Sequence, residues 1–346
     1  MNRSIYRAEL SALEQQARSL PVNKFSLFGL VHALSLLILS WEKYMVNRNL
    51  DDHPYTLANE LIRKTRENLK ILGDVNKLAY DNGVQNIINQ ENMEDYHKEL
   101  FQNLWIKFSE EDYKKRVEQY VYRLKINKVS PFIKGKKCID FGCGHGNFAN
   151  ALLEVGASYV LGIDYGKDSI SYCRKATERL KNRNIEFDLK TVYDTGIEDG
   201  SFDFAVQNGV FHHVENEDRA YGEVYRVLKP GAWFWVYTDG ENSIQSEIQD
   251  SAARILSKYS FFEVSKILDT MGLSIGKRYH IGDSLQATYR HSNLEDMVAR
   301  LEGYGFGNYR RLFGGYSTDS DGDAKEDPWA LEKFGSGDVR LLVQKI

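Results

Sequence analysis

Asp140-Phe141-Gly142-Cys143-Gly144-His145-Gly146-Asn147 sets three glycines at alternate positions, with an acid two residues ahead of the first. Glycine is required where the chain turns with positive φ, or where a ligand must approach backbone with no Cβ in the way. Dinucleotide folds use the longer GxGxxG spacing, which delivers pyrophosphate to a helix N-terminus. The tighter GxGxG spacing of Gly142, Gly144 and Gly146 therefore argues against a nicotinamide enzyme. Gly162-Ile163-Asp164-Tyr165 follows, and an acid at the end of a strand can accept hydrogen bonds from both hydroxyls of a ribose. Tyr165 can lie along a nucleoside or simply cap the sheet. A third segment ends Gln207-Asn208-Gly209-Val210-Phe211-His212-His213. Histidine titrates near neutral pH, so His212 and His213 are the first candidates for a base, with one of them touching substrate. Adjacent residues on a turn usually point apart, so joint action is not expected. His280, Asp283, Tyr289 and His291 form a further candidate group, led by His280. No fixed metal-ligand spacing links them, and no metal is expected. Asp319-Ser320-Asp321-Gly322-Asp323 lacks glycine at the sixth loop position and has Ala330 at the twelfth, which argues against calcium.

These residues need a scaffold that brings strand ends together. From Lys136 the sequence alternates short apolar runs with amphipathic ones: strands at 137–140, 159–164, 185–192, 202–208 and 233–238, helices at 147–155, 169–181 and 217–228. That rhythm predicts a parallel sheet covered on both faces, with ligands gathering at the carboxyl ends of the strands. Lys229-Pro230-Gly231 reads as the turn into the fifth strand, and 309–313 and 339–344 as the last two strands. Ser292-Asn293-Leu294-Glu295 has the capping-box pattern that opens a helix reaching about Tyr304. The stretch 240–291 exceeds what the sheet needs and reads as an insertion, helical at 244–257 and 261–271.

Residues before about Lys125 read as helices at 4–19, 56–72, 93–108 and 110–125. Gly73-Asp74 is the expected stop of the second, and Asp81-Asn82-Gly83 a turn. The third carries an aromatic stripe (Tyr96, Phe101, Trp105, Phe108), which reads as packing. The domains expected are thus a helical region, 1–125, and a cofactor-binding domain, 126–346, carrying the insertion 240–291.

Phe25–Trp41 is apolar and uncharged but shorter than the ~20 residues that cross a bilayer. Ser26, Gly29, His32 and Ser35 interrupt it, so it reads as a buried or dimer-forming helix ahead of a peripheral membrane contact. A formal net charge of −4 gives no global field to gather polyanions, and no nucleic-acid partner is expected. Cys138, Cys143 and Cys173 match neither a disulfide framework nor paired metal ligands, which fits the reducing cytoplasm. The first twenty residues lack the pattern of a secretory signal.

Taken together, IDFGCGHGNF, VLGIDYG, EDGSFDFAVQNGVFHHV and RVLKPGAWFWV resemble the class I S-adenosylmethionine-dependent methyltransferases, clearly over 136–236 and more loosely over 294–346. The resemblance implies a Rossmann-like, seven-stranded, mostly parallel sheet. It implies that Asp140, Gly142, Gly144, Gly146 and Asp164 hold S-adenosylmethionine, and that Asn208 faces the sulfonium. The turn after the third strand would contact the adenine, through either Val192 or Asp194. The function implied is methyl transfer to a small-molecule acceptor, with oxygen or nitrogen favoured, as in enzymes of quinone biosynthesis. A nucleic-acid methyltransferase fits less well, since Gln207-Asn208-Gly209-Val210 is not the Asp/Asn-Pro-Pro-Tyr/Phe of base-amine enzymes. A cofactor-binding scaffold without turnover is the non-enzymatic alternative.

Overall fold

The computed structural model describes residues 3–80, 110–180, 184–287, 289–314 and 327–346. The expected aromatic helix at 93–108, the turn at Asp81-Asn82-Gly83 and the Asp319–Asp323 run lie outside them. In chain order the helices of eight or more residues are α1 (Arg3–Arg18), α2 (Lys24–Met45), α3 (Pro54–Tyr80), α4 (Glu110–Ile126), α5 (Asn147–Glu154), α6 (Lys167–Leu180), α7 (Glu217–Val227), α8 (Ile244–Leu256), α9 (Phe261–Thr270), α10 (Ile275–Gln286) and α11 (Leu294–Gly303). The strands are β1 (Lys137–Phe141), β2 (Tyr159–Asp164), β3 (Ile185–Leu189), β4 (Phe202–Asn208), β5 (Leu228–Asp239), β6 (Phe306–Arg311) and β7 (Asp338–Lys345).

The chain forms two units. One holds the described residues of Met1–Leu100, Glu241–Tyr289 and Ala324–Gly335; the other holds those of Phe101–Gly240, Arg290–Asp323 and Ser336–Ile346. The stretch after β5 thus packs with the N-terminal helices, a partner that sequence periodicity does not reveal.

In the helical unit, α2 is the central element. Its 22 residues exceed the expected apolar run and are long and apolar enough to cross a bilayer, yet 56% of its apolar window is buried inside the protein. Leu30, Val31, Leu34, Ile38 and Trp41 enter a core shared with Tyr6, Leu13, Ile62, Ile248 and Leu285. Burial of each such side chain contributes about 2 kcal/mol. The small-residue stripe has a packing role: a Cβ on Gly29 would stand 2.5 Å from the Leu72 side chain, and Ser26 Oγ accepts from Asn76 Nδ2 at 3.0 Å. The expected stop at Gly73 is not used. Gly73 faces the Leu20 side chain within α3, and a single helical glycine costs only ~1 kcal/mol, which that packing offsets. Ion pairs between distant positions bind α1 to α8: Arg3 and Arg7 to Glu247, each at 2.7 Å, and Arg254 to Glu14 at 2.7 Å.

The other unit is a seven-stranded sheet of order β3-β2-β1-β4-β5-β7-β6, parallel except for β7, which runs antiparallel to both neighbours. β1 and β4 are buried along nearly their whole length, since both faces of the sheet are covered there. The order reverses between β1 and β4, the switch point where ligands bind in open α/β sheets. Lys229-Pro230-Gly231 lies inside β5 instead of preceding it; a register shift between Phe202 and Phe204 absorbs the extra residues. The cap of α11 is Asn293, accepting from the Asp296 amide, one residue later than the capping-box spacing indicated. β6 begins at Phe306, directly after that helix, so it starts earlier than expected. Gly240 and Ser292 form an isolated bridge, holding the two ends of the inserted stretch side by side.

Lys333 tests the helical unit. Its fully buried ammonium donates to Asp327 Oδ2 at 2.7 Å and to the Asn47 carbonyl at 2.6 Å. Removing one partner of a buried pair strands the other charge. Asp327→Ala should lower the unfolding free energy by about 3–5 kcal/mol in a urea titration, and Asp327→Leu with Lys333→Met should recover most of that loss. Equal stability of all three proteins would contradict the buried pair.

Candidate functional site

Asp140, Gly142, Gly144, Gly146 and Asp164 converge at the carboxyl ends of β1 and β2. All three loop glycines have positive φ: 71°, 51° and 77°. Two of them are packed: a Cβ on Gly142 would stand 2.5 Å from Val210, and one on Gly146 2.6 Å from Phe187. Gly144 differs, since a Cβ there would meet nothing within 4 Å. The middle glycine is therefore the one that presents bare backbone to open space.

Asp164 closes this loop. Its Oδ2 accepts from the Gly144 amide at 2.9 Å and its Oδ1 from the Gly166 amide at 2.7 Å. Each carboxylate oxygen has a further lone pair, so two ribose hydroxyls can still donate to it. Burial raises its pKa, against the two amide bonds that lower it. Asp140 lies between Gly162 and Val206 in the sheet and is 2% exposed. The cap of α5 is Gly146, which has no side chain to offer, and the Asp140 carboxyl accepts from the Ala149 amide. Its Oδ2 has no hydrogen-bond partner. Burial, with Asp164 nearby, pushes its pKa up to about 7.

The end of β4 meets this loop through Val210 and Gly142. Asn208 Oδ1 accepts from Trp235 Nε1 at 3.3 Å. Gln207 is fully buried; its Nε2 donates to the Tyr237 carbonyl at 2.9 Å, while its Oε1 accepts from the Val210 and Phe211 amides. An amide side chain directly after the apolar run Phe204-Ala205-Val206 was the available signal for Gln207. The following turn, Phe211–His213, carries both histidines. Contrary to expectation their rings meet, with Nε2 to Nε2 at 2.9 Å. The cause lies in β5: the Asp239 amide donates to His212 Nδ1 at 3.3 Å, and Thr238 Oγ1 lies 3.1 Å from the same nitrogen, fixing the buried ring.

The remaining candidates are placed as follows. Tyr165 is 45% exposed. Val192 is buried in the sheet's core, whereas Asp194 is exposed. His280 belongs to the helical unit, where its Nε2 pairs with Glu42, so the group His280, Asp283, Tyr289 and His291 does not fall within one unit. Residues beyond the expected set are Phe187, which packs against Gly146 and Gly162, and Tyr113, whose hydroxyl accepts from Asn150 beside the Gly146 carbonyl. Among the described residues no group of three or more metal-binding side chains occurs.

Residues 139–236 match the family described as "Methyltransferase domain". Residues 139–236 thus form a methyltransferase domain. Similar proteins include an uncharacterised 37.1 kDa protein in a transposon of Streptomyces fradiae, 33% identical over 28% of this chain and 28% of that one. A mitochondrial ubiquinone biosynthesis O-methyltransferase of Dictyostelium discoideum is 28% identical over 36% and 41% of the respective chains. A fatty-acid O-methyltransferase of Mycolicibacterium smegmatis is 29% identical over 50% and 62%. Each match spans less than two thirds of the relative's length. S-adenosylmethionine is the cofactor of such a domain, and the site fits it. The open backbone at Gly144 leaves room for an approaching ligand, and the orphaned Asp140 oxygen suits a cationic group.

Asp140 generates a pH prediction. Its folded-state value of about 7 lies above the ~3.9 of an unfolded chain, so the folded protein holds the proton more tightly between the two. This group therefore makes stability fall as pH rises from about 4 to about 7. Asp140→Asn removes the penalty, so its stability gain over the parent protein, measured without cofactor by denaturant titration, should grow across that window and then level off. A gain independent of pH would contradict the assignment.

Proposed function

We propose that this protein transfers a methyl group from S-adenosylmethionine to a lipophilic small molecule, at oxygen. The observation that carries the cofactor side is the switch-point loop: bare backbone at Gly144, the unpartnered Asp140 oxygen, and Asp164 at the end of β2. Bound there, the cofactor supplies a methyl carbon already activated by positive sulfur, so the protein must chiefly position the acceptor and exclude water. Gly144 and Asp164 hold the nucleoside end, and Asp140 balances the cation. The preference for oxygen and for a lipophilic acceptor draws on two relatives, one named a fatty-acid O-methyltransferase and the other an O-methyltransferase of ubiquinone biosynthesis.

Asn208, His212 and His213 stand where β4 ends beside the glycine loop, and we assign the acceptor to that side. The helix α2 is read as core of the helical unit, since its apolar positions are buried in its own chain. We place the protein in the cytoplasm, a reading supported by three buried cysteines outside any disulfide.

Radiolabelled methyl transfer from S-adenosylmethionine to a panel of lipophilic acids, phenols and alcohols tests this reading. His213→Ala should keep cofactor affinity within about threefold while lowering turnover about 10²-fold, the usual scale for loss of an acceptor-side side chain. Full turnover in that variant would remove the histidine from the account.

A further inference from the structure

Burial in the chain's own core accounts for one face of α2 only. We propose that the opposite face, continued by α3, binds a second copy of this chain, helix against helix, in a symmetric dimer. The inference stands apart from the reaction, and every residue it uses lies in the helical unit.

The face is drawn by spacing. Phe25, Phe28, His32, Leu36 and Leu39 follow one another at intervals of three, four, four and three residues, which sets them in one line along α2. Phe28 is 47% exposed and Leu36 53%, whereas Leu30, Val31 and Leu34 between them are fully buried. A surface helix ordinarily turns charged residues to water. Between Lys24 and Glu42 this helix has none, so the side it leaves open is apolar too.

α3 extends the face. Gly29 meets Leu72 and Ser26 meets Asn76, so the two helices run antiparallel. With about 100° of turn per residue, the positions just before that contact, Phe28 and Ile71, swing to the same side of the pair. The contacts of α1 with Arg66 and Gly73 lie on the other side. Ile71 is 62% exposed, and Val75, one turn beyond it, is exposed as well. A contiguous apolar surface of this kind marks an interaction site.

Two observations name the occupant. Steps of three and four residues form the seam along which one α-helix packs against another. The charges at its margin come in both signs: Lys24, Lys43 and Lys64 against Glu60, Glu67 and Asp74, all exposed. Glu60, Lys64 and Glu67 precede Ile71 at helical intervals, on the same flank of α3. An anionic bilayer or an acidic peptide selects a basic margin. A surface that pairs with itself needs both signs, because each patch meets its own copy across a twofold axis.

The test uses the full chain in sedimentation equilibrium, which should show monomer and dimer in exchange. Leu36→Asp, at a position already exposed, should raise the dimer dissociation constant at least about thirtyfold, the scale of a central anchor. Lys70→Asp, on the other flank of α3, should leave it unchanged. His32→Cys reports position. His32 stands mid-line, so in a symmetric pair it meets its own copy whichever way the helices run. The native cysteines are buried, so under mild oxidation His32→Cys should give a cross-linked dimer and Lys70→Cys should not. If Leu36→Asp does not fold, the two cysteine variants decide alone. A monomer at every concentration, or a dimer that folded Leu36→Asp leaves intact, would overturn the proposal. So would a monomeric chain that binds phosphatidylglycerol vesicles through the same leucine, which would give the face to a membrane.

Discussion

The Asp164 carboxylate, gripping the amides of Gly144 and Gly166, is the interaction on which the candidate site depends. It ties the turn after β1 to the end of β2, so the glycine loop is held open in one conformation before any ligand arrives. The same carboxylate keeps further lone pairs, the acceptors that the proposed function assigns to a ribose. Asp140 is the counterpart underneath, a buried acid with one unpartnered oxygen. Burial raises the pKa of both acids.

The second organising constraint is the sheet order. Because β1 and β4 are neighbours at the reversal, the glycine loop and the histidine turn are forced together, and the contact between Gly142 and Val210 is its local expression. β5 then supplies, through the Thr238 hydroxyl and Asp239 amide, the partners that orient His212. The glycine loop and the histidine turn thus follow adjacent strands of one sheet.

Much of this was legible in sequence because it is local. β2 and β4 fall at the expected residues, and the glycine loop with its two acids lies where strand-to-helix turns require it. What escaped was set by distant contacts. Gly73 reads as a stop until Leu20 packs on it, and Lys229-Pro230-Gly231 reads as a turn until a bulge absorbs it. The histidine rings read as divergent because the amide that fixes one of them lies on another strand. The stretch after β5 reads as part of the sheet domain. Its ion pairs to α1, such as Glu247 to Arg3 and Arg7, join residues too far apart in sequence for periodicity to connect.

The most direct test of the central claim is calorimetric titration of S-adenosylmethionine into the purified chain and into Asp164→Ala, with NADH as the control ligand. The account predicts saturable, one-site binding of S-adenosylmethionine to the parent protein, no binding of NADH, and loss of binding in a variant that still folds. Unchanged affinity in Asp164→Ala would show that this carboxylate neither builds nor reads the site.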